Sequence, residues 1–134
     1  MEKRLTSFRG AVCVENTPES ITEKVCQMCR ELFSRNTISA EDIVSLQFTI
    51  TKDITKLNPA TALRRGDCGI DVSSVPLFCS QEAEIEGMMP LVVRALLTAY
   101  VDEGTERHNV YLNGAEKLRP DLSEVSLDQS YSKK

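Results

Sequence analysis

The strongest constraint on the fold is a strand-like stretch, residues 75–82, that ends in polar chemistry. Its first half is apolar and strand-prone up to Phe78, and its second half is polar from Cys79 to Glu82. Binding and reactive groups are often held where a chain leaves a sheet. The stretch therefore predicts a sheet with a functional site at the end of one strand.

A single arginine, Arg94, interrupts the apolar run of residues 91–97. An arginine in such a run either extends its charge to water or binds a buried anion. We predict a second long helix over residues 88–100, with Arg94 on it. Arg94 follows Glu82 by twelve residues, and we interpret the chain as an anion-binding enzyme organised around these two side chains.

The length of 134 residues fits one domain, which we place at residues 1–122, followed by a polar and flexible tail at residues 123–134. A net charge of -4 argues against a general nucleic-acid surface. No apolar run approaches the roughly 20 residues that span a bilayer, so no membrane partner is expected. No long apolar segment follows the basic N-terminus, so a signal peptide is not expected.

The chain has five cysteines, an odd and scattered set that does not resemble a secreted disulfide framework. A reducing cytoplasm is the simplest location. Cys26 and Cys29 have the C-x-x-C spacing of redox and zinc motifs, but they fall inside a helical pattern with no second close pair. We favour ordinary helix cysteines and expect Cys26→Ser and Cys29→Ser to be nearly silent.

The remaining pattern predicts strands and helices in alternation. Thr17 and Pro18 mark the start of a helix that ends near residues 34–36, and its apolar stripe repeats with helical spacing. Asn58 marks a short helix over residues 60–65. The fold class is α+β, with a mixed sheet, two main helices on one face and a need for an oligomeric partner on the other. The predicted strands are residues 4–15, 43–51, 75–80 and 109–112.

The side-chain inventory excludes several chemistries. The chain has no glycine-rich phosphate loop, and its one histidine, His108, is a weak basis for a catalytic triad or a metal site. The arginines are the remaining candidates for binding a ligand. Arg9 is either an exposed strand charge or a fork for a carboxylate, and Arg64 and Arg65 either complement a helix dipole or contact a ligand. Such a set suits a polycarboxylate ligand.

The chain resembles the AroH-type monofunctional chorismate mutases. The matches occur in order over residues 5–122, and the ordered set is specific although each match alone is weak. The resemblance implies a chorismate-mutase-like pseudo-barrel trimer with active sites between subunits. The matching motifs are Phe8-Arg9-Gly10-Ala11, Pro59-Ala60, Ala62-Leu63-Arg64, Val75-Pro76 with Cys79 and Gln81-Glu82, Arg94, Val110-Tyr111-Leu112 and Leu118-Arg119-Pro120-Asp121.

The resemblance implies the rearrangement of chorismate to prephenate in phenylalanine and tyrosine biosynthesis. This intramolecular reaction needs no nucleophile, metal or cofactor. Negative charge grows on the ether oxygen as its bond to the ring breaks, and a fixed cation there stabilises the transition state. The resemblance assigns that role to Arg94, with Glu82 and Cys79 near the ring. It assigns substrate binding to Arg9, Tyr111, Arg119, Arg64, Ala60, Thr61 and Phe78.

The chain departs from the family pattern at a few positions. Asn58 and Thr61 stand where relatives can carry an aromatic residue and a lysine, and Lys56, Arg64 or Arg65 could compensate for the lysine. Two alternatives therefore stay open. One is an imine deaminase of the YjgF type, a trimer of similar shape that also holds a carboxylate with an arginine. The other is a non-catalytic trimeric module that binds a small carboxylate.

Overall fold

The computed structural model describes residues 2–122, so the tail predicted at residues 123–134 lies outside the described residues. One five-stranded mixed sheet carries two helices, as predicted for the fold class. Two short 3₁₀ helices are also present: Ala40–Asp42 directly precedes the second strand, and Ala115–Leu118 follows the last strand. The strands are β1 (Lys3–Cys13), β2 (Ile43–Ile50), β3 (Leu77–Gln81), β4 (Val92–Asp102) and β5 (Val110–Leu112), and the helices are α1 (Pro18–Arg35) and α2 (Pro59–Arg65).

The sheet has the order β3-β2-β4-β1-β5. Strand β4 is central and runs antiparallel to both β1 and β2. The two outer strands are parallel to their neighbours, β3 to β2 and β5 to β1. The sheet thus places β1 and β2 next to β4, with β3 and β5 one strand further out on either side.

Helix α1 begins and ends where its sequence signals predict. The Thr17 hydroxyl accepts a hydrogen bond from the backbone N–H of Ser20 at 3.1 Å, and Pro18 occupies the first turn. The apolar stripe of α1 faces the core, since Ile21, Val25, Met28 and Leu32 are all buried. Burial of this stripe against the sheet supplies the main apolar interface of the fold.

Gly10 allows α1 to approach β1 closely. A Cβ atom at this position would lie 3.0 Å from Cδ1 of Leu32 and 3.1 Å from Sδ of Met28, which is tighter than normal packing. The ladder between β1 and β4 runs through Gly10 without a register shift. Gly10 therefore serves a close approach of helix and strand, and the β1–β4 ladder has no bulge at this position.

The predicted helix over residues 88–100 is wrong, because this segment forms strand β4. Buried and more exposed side chains alternate along it with a period of two, from Val93 to Val101. Its backbone pairs with strands on both sides, which leaves no helical ladder. The second helix of the fold is instead the short α2, and Arg94 lies on a strand at the centre of the sheet.

Both helices pack on one face of the sheet. Helix α1 contacts β1, β5 and α2, and α2 contacts β3. The opposite face, which we call the open face, carries the side chains that alternate with the buried core residues: Ser7, Arg9, Gln47, Thr49, Arg94, Leu96 and Thr98. Within residues 2–122, no helix is both long and apolar enough to cross a membrane.

Candidate active site

A pocket of about 320 Å³ lies on the open face above the middle of the sheet. Arg94 stands at its centre, with Ala11 of β1 and Thr49 of β2 as its cross-strand partners. The wall contains three arginines and one phenol in a chain whose net charge is negative. The polar side chains that line the pocket are Arg9, Gln47, Thr49, Arg94, Tyr111 and Arg119.

Glu82 holds Arg94 by a single oxygen. The Nε atom of Arg94 donates to Oε2 of Glu82 at 3.1 Å, and the Arg94 side chain remains 41% exposed while that of Glu82 is 17% exposed. Within residues 2–122, the terminal Nη atoms of Arg94 and the Oε1 atom of Glu82 form no hydrogen bond. The pair is therefore oriented and keeps free donors and one free acceptor for a ligand.

Arg9 and Tyr111 reach the pocket from adjacent strands. The backbone N–H of Arg9 donates to Oδ1 of Asn109 at 2.8 Å, which ties β1 to the chain just before β5. The Arg9 guanidinium forms no hydrogen bond or ion pair within the described residues. Tyr111 is 5% exposed and pairs with Ala11, so its ring is fixed by packing. The two side chains offer donors to an anion at one end of the pocket.

Arg119 enters the pocket from the segment after β5 and is paired in advance. Its Nε and Nη2 atoms donate to Oδ1 and Oδ2 of Asp121 at 3.1 and 2.8 Å. The hydrogen bonds from Arg119 lower the pKa of the Asp121 carboxyl, and the same bonds raise the pKa of Arg119. This fork has the geometry with which an arginine binds a substrate carboxylate.

The other predicted site residues lie elsewhere on the chain. Phe78 is 75% exposed on β3, and Thr61 and Arg64 lie on α2. The Cys79 side chain packs against the helix-side core, since Cys79 pairs with the buried Phe48, and burial raises its thiol pKa. Within one chain, the structure brings together Arg9, Glu82, Arg94, Tyr111 and Arg119, but not Ala60, Thr61, Arg64, Phe78 and the Cys79 thiol.

The structure adds pocket residues that the sequence pattern did not indicate. Gln47 and Thr49 line the pocket from β2, and Asn109 fixes the backbone of Arg9. The alternation of apolar and polar residues along β2 could have indicated them, because the Gln47 and Thr49 side chains both lie on the face opposite Phe48. A larger cavity of about 540 Å³ is bordered by residues 51–53 and 84–90, but it is lined by no arginine.

The described residues offer little for other chemistries. Among residues 2–122, no three His, Cys, Asp or Glu side chains are grouped to hold a metal ion. The five cysteines are unpaired, and Cys26 and Cys29 are buried on α1. Burial raises the pKa of both thiols. The chemistry that the pocket itself supports is binding and charge stabilisation by arginine.

Comparison with known proteins identifies the family. The family model described as chorismate mutase type I matches residues 5–122. The chain is 37% identical over 118 residues to the chorismate mutase AroH of Thermus thermophilus, covering 86% of this chain and 93% of that protein. It is 32% identical over 124 residues to the chorismate mutase AroH of Bacillus subtilis (strain 168), covering 89% and 93%.

Solved structures agree with the sequence comparisons. A chorismate mutase from Clostridium thermocellum superimposes with a TM-score of 0.73 at 30% identity, covering 84% of this chain and 98% of that chain. The resemblance and the α+β fold class drawn from the sequence are thereby confirmed. The chain belongs to the chorismate mutase type I family, and it is an isomerase of aromatic biosynthesis.

Proposed function

We propose that this chorismate mutase rearranges chorismate to prephenate in the arginine pocket of the open face. The observation that carries the proposal is the Arg94–Glu82 pair, which leaves the Nη donors of Arg94 and the Oε1 acceptor of Glu82 available. Chorismate presents an ether oxygen, a ring hydroxyl and two carboxylates. The available groups of the pocket match these features in kind, with arginine donors for the ether oxygen and the carboxylates and a carboxylate acceptor for the hydroxyl.

Arg94 provides the electrostatic stabilisation of the transition state. Its Nη atoms donate to the ether oxygen, on which negative charge grows as the carbon–oxygen bond lengthens ahead of carbon–carbon bond formation. Since that charge is larger in the transition state than in bound chorismate, the hydrogen bonds strengthen during the reaction. Glu82 keeps the guanidinium in place before the substrate arrives, so little reorganisation accompanies the charge shift.

Glu82 has a second role at the ring. Its Oε1 atom accepts a hydrogen bond from the ring hydroxyl, and its negative charge stabilises the partial positive charge that develops on the ring. The carboxylate is mostly buried, which strengthens this interaction relative to water. Arg9 and Tyr111 hold the carboxylate of the enolpyruvyl group and favour the compact, reactive conformer.

We further propose a homotrimer in which each active site lies between two subunits. The pocket of one chain contains three arginines and the carboxylates of Glu82 and Asp121, which leaves one net positive charge for a dianionic substrate. Arg64 of a neighbouring chain would add the second. We assign Phe78 on β3 and Ala60 and Thr61 on α2 to the same opposing wall as Arg64, because β3 and α2 contact each other. The Cys79 thiol packs against the core of its own chain and is not assigned to this wall.

The cytoplasm is the proposed location of the enzyme. All five cysteines are free, and Cys13 and Cys79 are only half-buried. A reducing compartment keeps such thiols unpaired.

The test of the reaction is the loss of chorismate absorbance, with prephenate identified by proton NMR. Arg94→Ala should lower kcat about 10²–10³-fold, which is the typical cost of removing one preorganised donor. Circular dichroism should show an unchanged fold, since the Arg94 side chain is partly exposed. Arg35→Ala removes a guanidinium from an ion pair on α1 and serves as the control, with kcat unchanged. Full activity in Arg94→Ala would exclude this site.

A further inference from the structure

Thr49 contacts the catalytic pair through Glu82. Its hydroxyl donates to Oε2 of Glu82 at 3.1 Å, the same atom and the same distance as the bond from Nε of Arg94. Thr49 and Arg94 are cross-strand partners on β2 and β4, so the sheet sets their spacing. One carboxylate oxygen is thus fixed by two donors on two neighbouring strands.

The backbone fixes Glu82 at one further point. Its N–H donates to the carbonyl of Ile50 at 2.8 Å, which holds the residue directly after the end of β3. The backbone hydrogen bond to Ile50 fixes the position of the Glu82 main chain, and the hydrogen bond from the Thr49 hydroxyl fixes the position of Oε2 at the end of the side chain. Without the hydroxyl, Nε of Arg94 would be the one remaining side-chain donor to this carboxylate among residues 2–122.

We propose that Thr49 is a positioning residue for the chorismate rearrangement. It holds Oε2 of Glu82 so that Nε of Arg94 docks in one orientation, and it thereby aims the Nη atoms of Arg94 and Oε1 of Glu82. Thr49 contributes through these two residues, and the inference rests on the roles proposed for them above. A β-branched residue is common in strands, but strand propensity alone requires no hydroxyl.

Substitution by valine distinguishes a positioning role of the Thr49 hydroxyl from a simple strand preference for a β-branched residue. Thr49→Val keeps the β-branched shape and removes the donor, whereas Thr49→Ser keeps the donor and removes the methyl group. The expected result for Thr49→Val is a kcat lowered about 10-fold, the scale of one hydrogen bond to a charged group, with KM changed less than about twofold. Thr49→Ser should retain kcat within about threefold.

Thr98→Val is the matched control. Thr98 also lies on the open face, and its hydroxyl also shares a hydrogen bond, with Oγ of Ser7 at 3.1 Å. The substitution removes one hydroxyl bond from the same face of the sheet without touching Glu82. A kcat within about twofold of the unmodified enzyme is expected for Thr98→Val. An equal loss of kcat in both valine variants would overturn the proposal.

A double-substitution cycle tests the route through Glu82. In a Glu82→Ala background, Thr49→Val should lower kcat by no further factor, because the carboxylate that it positions is absent. A further tenfold loss in that background would show that Thr49 acts by another route, and the proposal would fail. If Thr49→Val does not fold, as judged by circular dichroism, then Thr49→Ala is measured in its place with the same expectation.

Arg94→Ala distinguishes failure of this inference from failure of the proposed function. If Arg94→Ala loses activity while Thr49→Val keeps kcat within twofold, the site stands and the role of Thr49 is refuted. If Arg94→Ala retains full activity, the proposed site itself is refuted, and Thr49 with it.

Discussion

Glu82 and Asp121 bind different numbers of nitrogen atoms of their arginine partners, and this difference determines which donors each arginine keeps for a ligand. Glu82 accepts from Nε of Arg94 alone, so the Nη donors of Arg94 stay available. Asp121 accepts from both Nε and Nη2 of Arg119. Arg94 is therefore ready for a ligand, whereas Arg119 can offer the same fork to a substrate carboxylate only after it releases Asp121. Arg119 thus suits closure of the site after binding, and Arg94 suits the chemical step.

The substitution Cys29→Ser should leave activity unchanged but lower the stability of the protein. The Cys29 side chain is 0% exposed in the core beneath α1, so Cys29→Ser should lower the free energy of unfolding by about 1–3 kcal/mol through burial of a hydroxyl. The kcat should not change, because Cys29 lies on the helix side of the sheet and Arg94 on the open face. Urea denaturation and the chorismate assay measure the two quantities separately.

Cys29→Ala is the control for this prediction. It removes the thiol without introducing a stronger polar group, so it reports the cost of lost volume alone. A Cys29→Ser variant as stable as the unmodified protein would show that the added hydroxyl finds a partner. It would also restore the simpler expectation from sequence that the substitution has little effect.

The sequence indicated the charged residues of the site better than the neutral ones. Arg94 stood out as a charge inside an apolar run, and Glu82 as an acid at the end of a strand. Thr49 carried no comparable signal, since threonine is common in strands and its role depends on which partner faces it. That partner is fixed by the register between β2 and β4, which local patterns do not contain.

At the scale of elements, β4 explains the one large error. Its run from Val92 to Val101 is apolar on the helix side, and Leu96 on the other side is 42% exposed and also apolar. Apolar residues on both faces hide the alternation that marks a strand, and the remaining pattern is compatible with a helix. Helix α1 was predictable because its cap, its proline and its one-sided stripe agree with one another.

Neighbouring leucines on β4 test this strand directly. Leu97 is fully buried on the helix side, so Leu97→Ala should lower the free energy of unfolding by about 2–5 kcal/mol. Leu96 faces the pocket, and Leu96→Ala should cost less than about 1 kcal/mol. Urea denaturation of both variants gives the comparison. Similar losses in the two variants would contradict the period-two burial of β4.

At the scale of the whole molecule, the predicted site residues fall into two sets. The first set, around Arg94, surrounds the pocket of the open face. The second set, around Arg64 and Phe78, lies on α2 and β3 and does not line that pocket. Phe78, Leu96 and Tyr100 are large apolar side chains exposed on the open face of one chain, and a group of exposed apolar residues on one face is typical of a surface that another chain covers.

Mixing two inactive variants tests whether the sets meet between subunits. Arg94→Ala damages the first set and Arg64→Ala damages the second. In trimers refolded from an equal mixture, a site is intact when the Arg64→Ala chain supplies the first set and the Arg94→Ala chain supplies the second, which occurs at about one quarter of random interfaces. The mixture should therefore recover about one quarter of full activity, while light scattering should give three times the 14.9 kDa of one chain.

The matched control mixes Arg94→Ala with Arg9→Ala. Both substitutions damage the first set, and every site in that mixture lacks one of the two arginines whichever chains meet. No activity should return, although the trimers and the refolding procedure are the same. Recovery in both mixtures would indicate an artefact of refolding. Recovery in neither, with each variant trimeric, would show that Arg94 and Arg64 serve the same site from one chain, and it would refute a site shared between subunits.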